Sequence, residues 1–148
     1  HVRRQIFGAE DLASDMGARR TKEGDEVLYA RSRVVLAAKI ASIVAIDQAV
    51  IDVRNDEQCR TDASKGRDLG YEGKICVIPR QIDICNSVYA PTDEEVAEAE
   101  EVVAVYKEAM SKGIGTIDFK GKMIDGPLLK RAEATLAISA IIKNRESA

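Results

Sequence analysis

The chain contains no tryptophan, two phenylalanines and four tyrosines, so any core it forms must be aliphatic, built of Ala, Val, Ile and Leu. It has one histidine, His1, at the first position. No Ser-His-Asp triad, Cys-His pair, His-rich zinc site or internal histidine base can be assembled from these residues. Acid–base or metal chemistry would therefore fall to carboxylates. The three cysteines, Cys59, Cys76 and Cys85, are odd in number and no two have C-x-x-C spacing. That argues against a zinc knuckle or a disulfide framework, and points to small apolar core residues in a reducing, cytoplasmic setting. Positive charge is not in excess: 22 Lys and Arg face 25 Asp and Glu, a net charge of −3. A charge-driven nucleic-acid partner is therefore not expected. The longest strongly apolar stretch, Val34 to Ile46, is interrupted by Lys39 and Ser42. It falls short of the roughly 20 apolar residues that span a bilayer, so no membrane partner is expected either. No signal peptide opens the sequence, and the first residue is His rather than Met, which suggests a processed, tagged or truncated product.

What is present is ordinary globular composition, 45% hydrophobic and 32% charged over 148 residues. That is one domain's length at roughly 150 residues per domain. Gln5-Ile6-Phe7-Gly8-Ala9 reads as a strand ending at a loop that carries the adjacent acids Glu10 and Asp11. Residues 15–24 read as loop. From Asp25 the apolar residues Val27, Leu28, Val34, Val35, Ala38 and Ala41 fall at helical spacing, to about Ser42. Ile43-Val44-Ala45-Ile46-Asp47 is a β-branched run ending in an acid, a good buried strand. A helix is expected from Asn55 to about Leu69, stopped by Gly70, and a third strand from Lys74 to Ile78, closed by Pro79. Strand, helix, strand, helix, strand is the pattern of a parallel α/β sheet. After Pro91 the character changes. Thr92 and Glu95 form a capping box for a helix to about Lys112. Residues 113–122 suggest a turn or small hairpin, and Pro127 stands at the first position of a helix running from Leu128 to about Asn144. Neither an internal repeat nor a low-complexity segment is present.

Two of the three expected strands end in a carboxylate, Asp11 and Asp47. Parallel α/β folds place ligands at the carboxyl ends of their strands, and hard oxygen ligands suit Mg2+. Gly8-Ala9-Glu10-Asp11-Leu12 resembles the G-x-E-D motif of the citrate lyase beta-subunit-like and malyl-CoA lyase family, CoA-ester lyases of the HpcH/HpaI aldolase/citrate lyase superfamily. Tyr29-Ala30-Arg31-Ser32-Arg33, Ala45-Ile46-Asp47 and Gly73-Lys74 leading to Pro79, Gln81 and Asn86 are similar to it in the same order. So is Gly121-Lys122-Met123-Ile124-Asp125-Gly126-Pro127, followed by Lys130-Arg131-Ala132. Three positions depart from the usual pattern: Ile78 replaces a His, Gln48 a small residue, and Arg19 a Pro.

The resemblance implies a fold and an activity. The fold would be α/β, the C-terminal part of a TIM (β/α)8 barrel (about strands six to eight with their helices) over residues 1–90. A helical C-terminal extension or lid would cover 91–148. Family members run to about 300 residues, within the usual range of that barrel. The activity would be Mg2+-dependent carbon–carbon cleavage of a 3-hydroxyacyl-CoA of the citryl-, malyl- or citramalyl-CoA kind, giving an oxo acid and an acyl-CoA. Asp11 would be a metal ligand, with Glu10 a supporting acid. A further Glu ligand and a substrate-binding Arg would lie on earlier strands, outside this chain. Asp125 would be catalytic, exchanging the proton on the acyl-CoA α carbon in a neighbouring subunit of a homo-oligomer, a trimer or hexamer. The reading of Asp125 from its position alone is an N-cap before Gly126-Pro127. Asp47 would serve either a hydrogen bond at the barrel mouth or the substrate, Gln81 and Asn86 would fix the loop after the last strand, and Lys122 would cap backbone or face CoA phosphates. Two further readings are a malyl-CoA-type thioesterase and a non-catalytic accessory subunit. As half a barrel, the chain alone is expected to be inactive.

Overall fold

A computed structural model describes residues 2–147. The chain divides into two compact units, one ending at Tyr89 and one beginning at Ala90.

In the first unit three strands pair in parallel in the order β1 (Arg4–Ile6), β2 (Val44–Asp47), β3 (Gly73–Lys74). Gln5 stands opposite Ala45, and Asp47 opposite Lys74. The strands are shorter than the apolar runs imply. Phe7 donates to the Ile46 carbonyl and then leaves the sheet, because α1 (Ala9–Asp15) begins two residues later. Glu10 and Asp11 therefore sit in the first turn of a helix and not in a loop. Their charges complement the positive end of that helix. At the other side, Ile75 makes one more ladder bond to Asp47, after which residues 76–79 turn away into α4 (Arg80–Tyr89). Gln81 and Asn86 lie in that helix, and Gln81 accepts from the Val77 amide at 2.8 Å, holding the segment that follows β3. Pro79 ends the extended segment but does not prevent a helix from starting at the next residue, since its missing N–H is not needed there.

Two longer helices connect the strands. α2 (Asp25–Ile40) begins at Gly24, which holds φ +68°, a left-handed conformation that suits glycine. Val27, Arg31, Val35 and Ala38 form its buried face. α3 (Asp56–Leu69) is capped by Asn55, whose side chain accepts from the Gln58 amide at 3.0 Å, and stops at Gly70 with φ +100°. Phe7, Ala13, Val27, Val35, Ala45 and Tyr71 make the main core of this unit, and Cys59, Ile84 and Cys85 a smaller one between α3 and α4.

The second unit consists of α5 (Asp93–Ser111), a two-stranded antiparallel hairpin of β4 (Ile117–Phe119) and β5 (Lys122–Ile124), and α6 (Gly126–Glu146). The Thr92–Glu95 capping box forms in full, and Pro127 lies in the first turn of α6. Ala99, Val102, Tyr106, Phe119, Ile124 and Ala132 are its core.

Candidate functional site

The polypeptide leaving the carboxyl ends of β1 and β2 surrounds a cavity of about 230 Å3. Glu10 comes from α1, Arg20 to Lys22 from the segment between α1 and α2, Gln48 to Asp52 from the segment after β2, and Gln58 and Asp62 from α3. Arg20 organises this rim. Its Nε donates to Glu10 Oε1 at 2.8 Å, its Nη1 pairs with Glu26, and its Nη2 donates to Gln48 Oε1 at 3.3 Å. Burial would raise the Glu26 carboxyl, but hydrogen bonds from Thr21 and Arg20 outweigh it and hold Glu26 down at about 2. The Oε1 of Gln58, on the cavity wall, is buried without a partner.

Beneath the cavity lies a closed charge cluster. Arg31 is fully buried in α2. Its Nε donates to Asp47 Oδ1 at 2.9 Å, its Nη1 to Asp62 Oδ1 at 3.0 Å, and its Nη2 pairs with Asp47 and donates to the Asp62 carbonyl. Lys74 adds a second cation, paired with Asp62, 3.4 Å from Asp47 Oδ2 and donating to the Gln48 carbonyl at 2.6 Å. Two cations thus neutralise two carboxylates where a lone charge would be prohibitive. Burial would raise the Asp62 carboxyl, but Lys74, Arg31 and a Gln48 amide bond outweigh it and hold it below its ordinary value. Gln48 ties the cluster to the rim: Nε2 donates to Asp62 at 3.0 Å while Oε1 accepts from Arg20. Gly66 of α3 lies against the same groups, so a Cβ there would collide with Asp47 Oδ2 and come within 2.8 Å of the Tyr89 hydroxyl.

Asp47 is therefore an internal ion-pair partner and is fully buried. Sequence reasoning marked the stretches containing Arg31 and Lys74 without giving either a role, and missed Asp62 altogether. Asp11 is exposed, with no hydrogen bond or ion pair of its own among the described residues. Its Oδ2 lies over Gly8, 3.2 Å from where a Cβ would stand, a space that only glycine leaves fully open. An unpartnered, exposed carboxylate fits one oxygen ligand of a magnesium ion. Among the described residues no group of three or more His, Cys, Asp or Glu side chains could hold a metal, so Asp11 is at most part of a ligand set. Asp125 belongs to the second unit, as N-cap of α6, its Oδ1 accepting from the Leu128 amide at 3.3 Å. Lys122 pairs with Glu98 at 3.1 Å. Among the described residues no helix is long and apolar enough to cross a membrane.

The HpcH/HpaI aldolase/citrate lyase family model matches residues 2–79, and the chain belongs to that family. A citrate lyase subunit beta-like protein of Deinococcus radiodurans is 40% identical over 134 residues, which are 90% of this chain and 47% of that protein. The mitochondrial citramalyl-CoA lyase of Homo sapiens is 36% identical over 140 residues, 95% of this chain and 41% of that enzyme. The crystal structure of CitE from Mycobacterium tuberculosis in complex with magnesium, acetoacetate and coenzyme A superposes with a TM-score of 0.80 at 29% identity. The match covers 91% of this chain and 51% of that one. The chain thus spans about half the length of the relatives it matches.

Proposed function

We propose that this chain supplies the last strands of a (β/α)8 barrel and a C-terminal extension to a Mg2+-dependent carbon–carbon lyase. The enzyme would cleave a 3-hydroxyacyl-CoA to an oxo acid and an acyl-CoA. The observation that carries the reading is the superposition on CitE, whose structure holds magnesium, an oxo acid and coenzyme A together. Magnesium would supply Lewis-acid stabilisation of negative charge developing on the oxo-acid oxygen. Asp11 would hold it by one carboxylate oxygen, with the Gly8 backbone leaving that oxygen room. Arg20 keeps Glu10, the neighbouring acid, paired and oriented at the cavity. Cleavage leaves the acyl-CoA fragment as an enolate, which takes a proton at its α carbon, and Asp125 is the group proposed to deliver it. The working form is proposed to be a homo-oligomer.

The test is Asp11→Asn in a protein of the relatives' full length, assayed by release of oxo acid across a magnesium titration. We expect turnover to fall at least about 100-fold and half-saturation by magnesium to move up about tenfold or more, the scale seen when a group supporting a metal site is lost. Unchanged magnesium dependence would remove Asp11 from the metal site. Release of free CoA thiol without an oxo acid would replace the lyase by a thioesterase, and no product at all from the unmutated protein would favour an accessory subunit.

A further inference from the structure

The three cysteines take no part in the chemistry proposed above, yet they converge. Cys76 follows β3, Cys85 lies in α4 and Cys59 in α3; Cys59 and Cys85 belong to the small core between those helices, and Cys76 packs against it. Cys76 Sγ stands 3.5 Å from Cys85 Sγ. Cys59 belongs to the same small core and is 1% exposed. Cys76 alone of the three is partly open to solvent.

We propose that Cys76 and Cys85 are a thiol–disulfide modification site, closed by a peroxide and reopened by a thiol reductant. A disulfide needs its sulfurs at about 2.05 Å, so the pair must approach by about 1.5 Å. Access sets the order. Cys76 attacks one peroxide oxygen, the O–O bond breaks, and a sulfenic acid and one water result. The sulfur of Cys85 then displaces the hydroxyl from Cys76 as a second water, forming the S–S bond and losing its own proton. Two thiols are oxidised and one peroxide is reduced to two waters. Burial pushes the thiols of Cys59 and Cys85 up, so neither competes with Cys76, the thiol open to solvent, for the first encounter with peroxide. The bond would close beside a tether to the cavity: the Val77 amide donates to Gln81 Oε1 at 2.8 Å, and Gln81 Nε2 donates to the Val50 carbonyl at 2.9 Å.

The test is peptide mapping of the full chain after treatment with equimolar hydrogen peroxide and alkylation of the remaining thiols. Trypsin separates the three cysteines, because Cys76 falls on peptide 75–80, Cys85 on 81–107 and Cys59 on 55–60. We expect peptides 75–80 and 81–107 to appear joined, two thiols to be lost per chain, and dithiothreitol to restore both. Cys59→Ser should leave this unchanged. Cys85→Ser should abolish the joined peptide and leave Cys76 as a sulfenic acid, which a second equivalent of peroxide carries on to the sulfinic acid. Should that core variant fail to fold, Cys76→Ser, at the more open position, must likewise abolish the joined peptide. The proposal is overturned if Cys76 of the unmutated chain accumulates as sulfinic acid, if the link is to Cys59 or between two chains, or if no thiol is lost.

Discussion

Asp62 shows how much of this unit is decided by single charged groups. It is 8% exposed, and its carboxylate is kept ionised by Lys74, Arg31 and Gln48. Its pKa is lower folded than unfolded, so the folded state binds that proton less readily. The resulting stability is fully present above the ordinary carboxylate value and is lost as pH falls through the folded one. We predict that urea midpoints decline below about pH 4. Asp62→Asn should cost about 3–5 kcal/mol at pH 7, because it leaves two buried cations facing Asp47 alone. The gap between variant and parent should narrow at pH 3, and a gap independent of pH would show that Asp62 is merely packed there. Asp47 stands out in the sequence as a strand-end acid, but its pairing with the rest of the cluster does not. Arg31, Asp47, Asp62 and Lys74 are far apart in the chain, and a charged residue inside an amphipathic stretch looks the same whether it faces water or a partner. Asp11 and Asp125 stand in motifs of several residues, which is what singles them out in the sequence, and Gln48, noted only as a departure from the family pattern, turns out to join the cluster to the cavity rim.

Helices and caps were the most legible elements, because local chemistry decides them. The Thr92–Glu95 box and Pro127 needed no tertiary information, whereas β3 shrank and α4 went unseen because pairing and docking decide where a short apolar run stops. Within α3, Gly66 contradicts local preference: alanine in a helix interior is favoured over glycine by about 1 kcal/mol. A Cβ there meets Asp47 and Arg31, both fully buried, and the half-buried Tyr89. Gly66→Ala should therefore lower the melting temperature, and a rise would mean that the cluster can shift to make room. Asp125 caps α6, and its two roles separate by substitution. Asparagine caps about as well as aspartate, so Asp125→Asn should leave the melting temperature nearly unchanged. In the full-length enzyme the same change should reduce turnover at least about 100-fold if the carboxyl moves a proton, since general acid–base groups contribute roughly 10²–10⁴-fold. Normal turnover would leave Asp125 a cap alone.

At the scale of the molecule, the three-stranded sheet sets the terms. Among the described residues β1 and β3 each have one neighbour, so each presents an unpaired outer edge. Ile6 on β1 is 59% exposed and Val77 just past β3 is 47% exposed, apolar surface that a longer sheet would cover. Open edges beside apolar side chains invite pairing with any available strand. The relatives, about twice as long, have further chain from which such strands could come. We therefore predict that the 148 residues alone show no turnover of any 3-hydroxyacyl-CoA, and bind magnesium weakly through Asp11. Co-expression with a separate polypeptide carrying the N-terminal half of a relative should bring the two into one complex by size-exclusion chromatography and give magnesium-dependent release of oxo acid. The same co-expression with Asp11→Asn should still give the complex but not the activity, which distinguishes a failure to pair strands from a failure to build the metal site. Turnover by the 148 residues alone would contradict both the half-barrel reading and the shared metal site, because one carboxylate cannot bind and position the metal by itself.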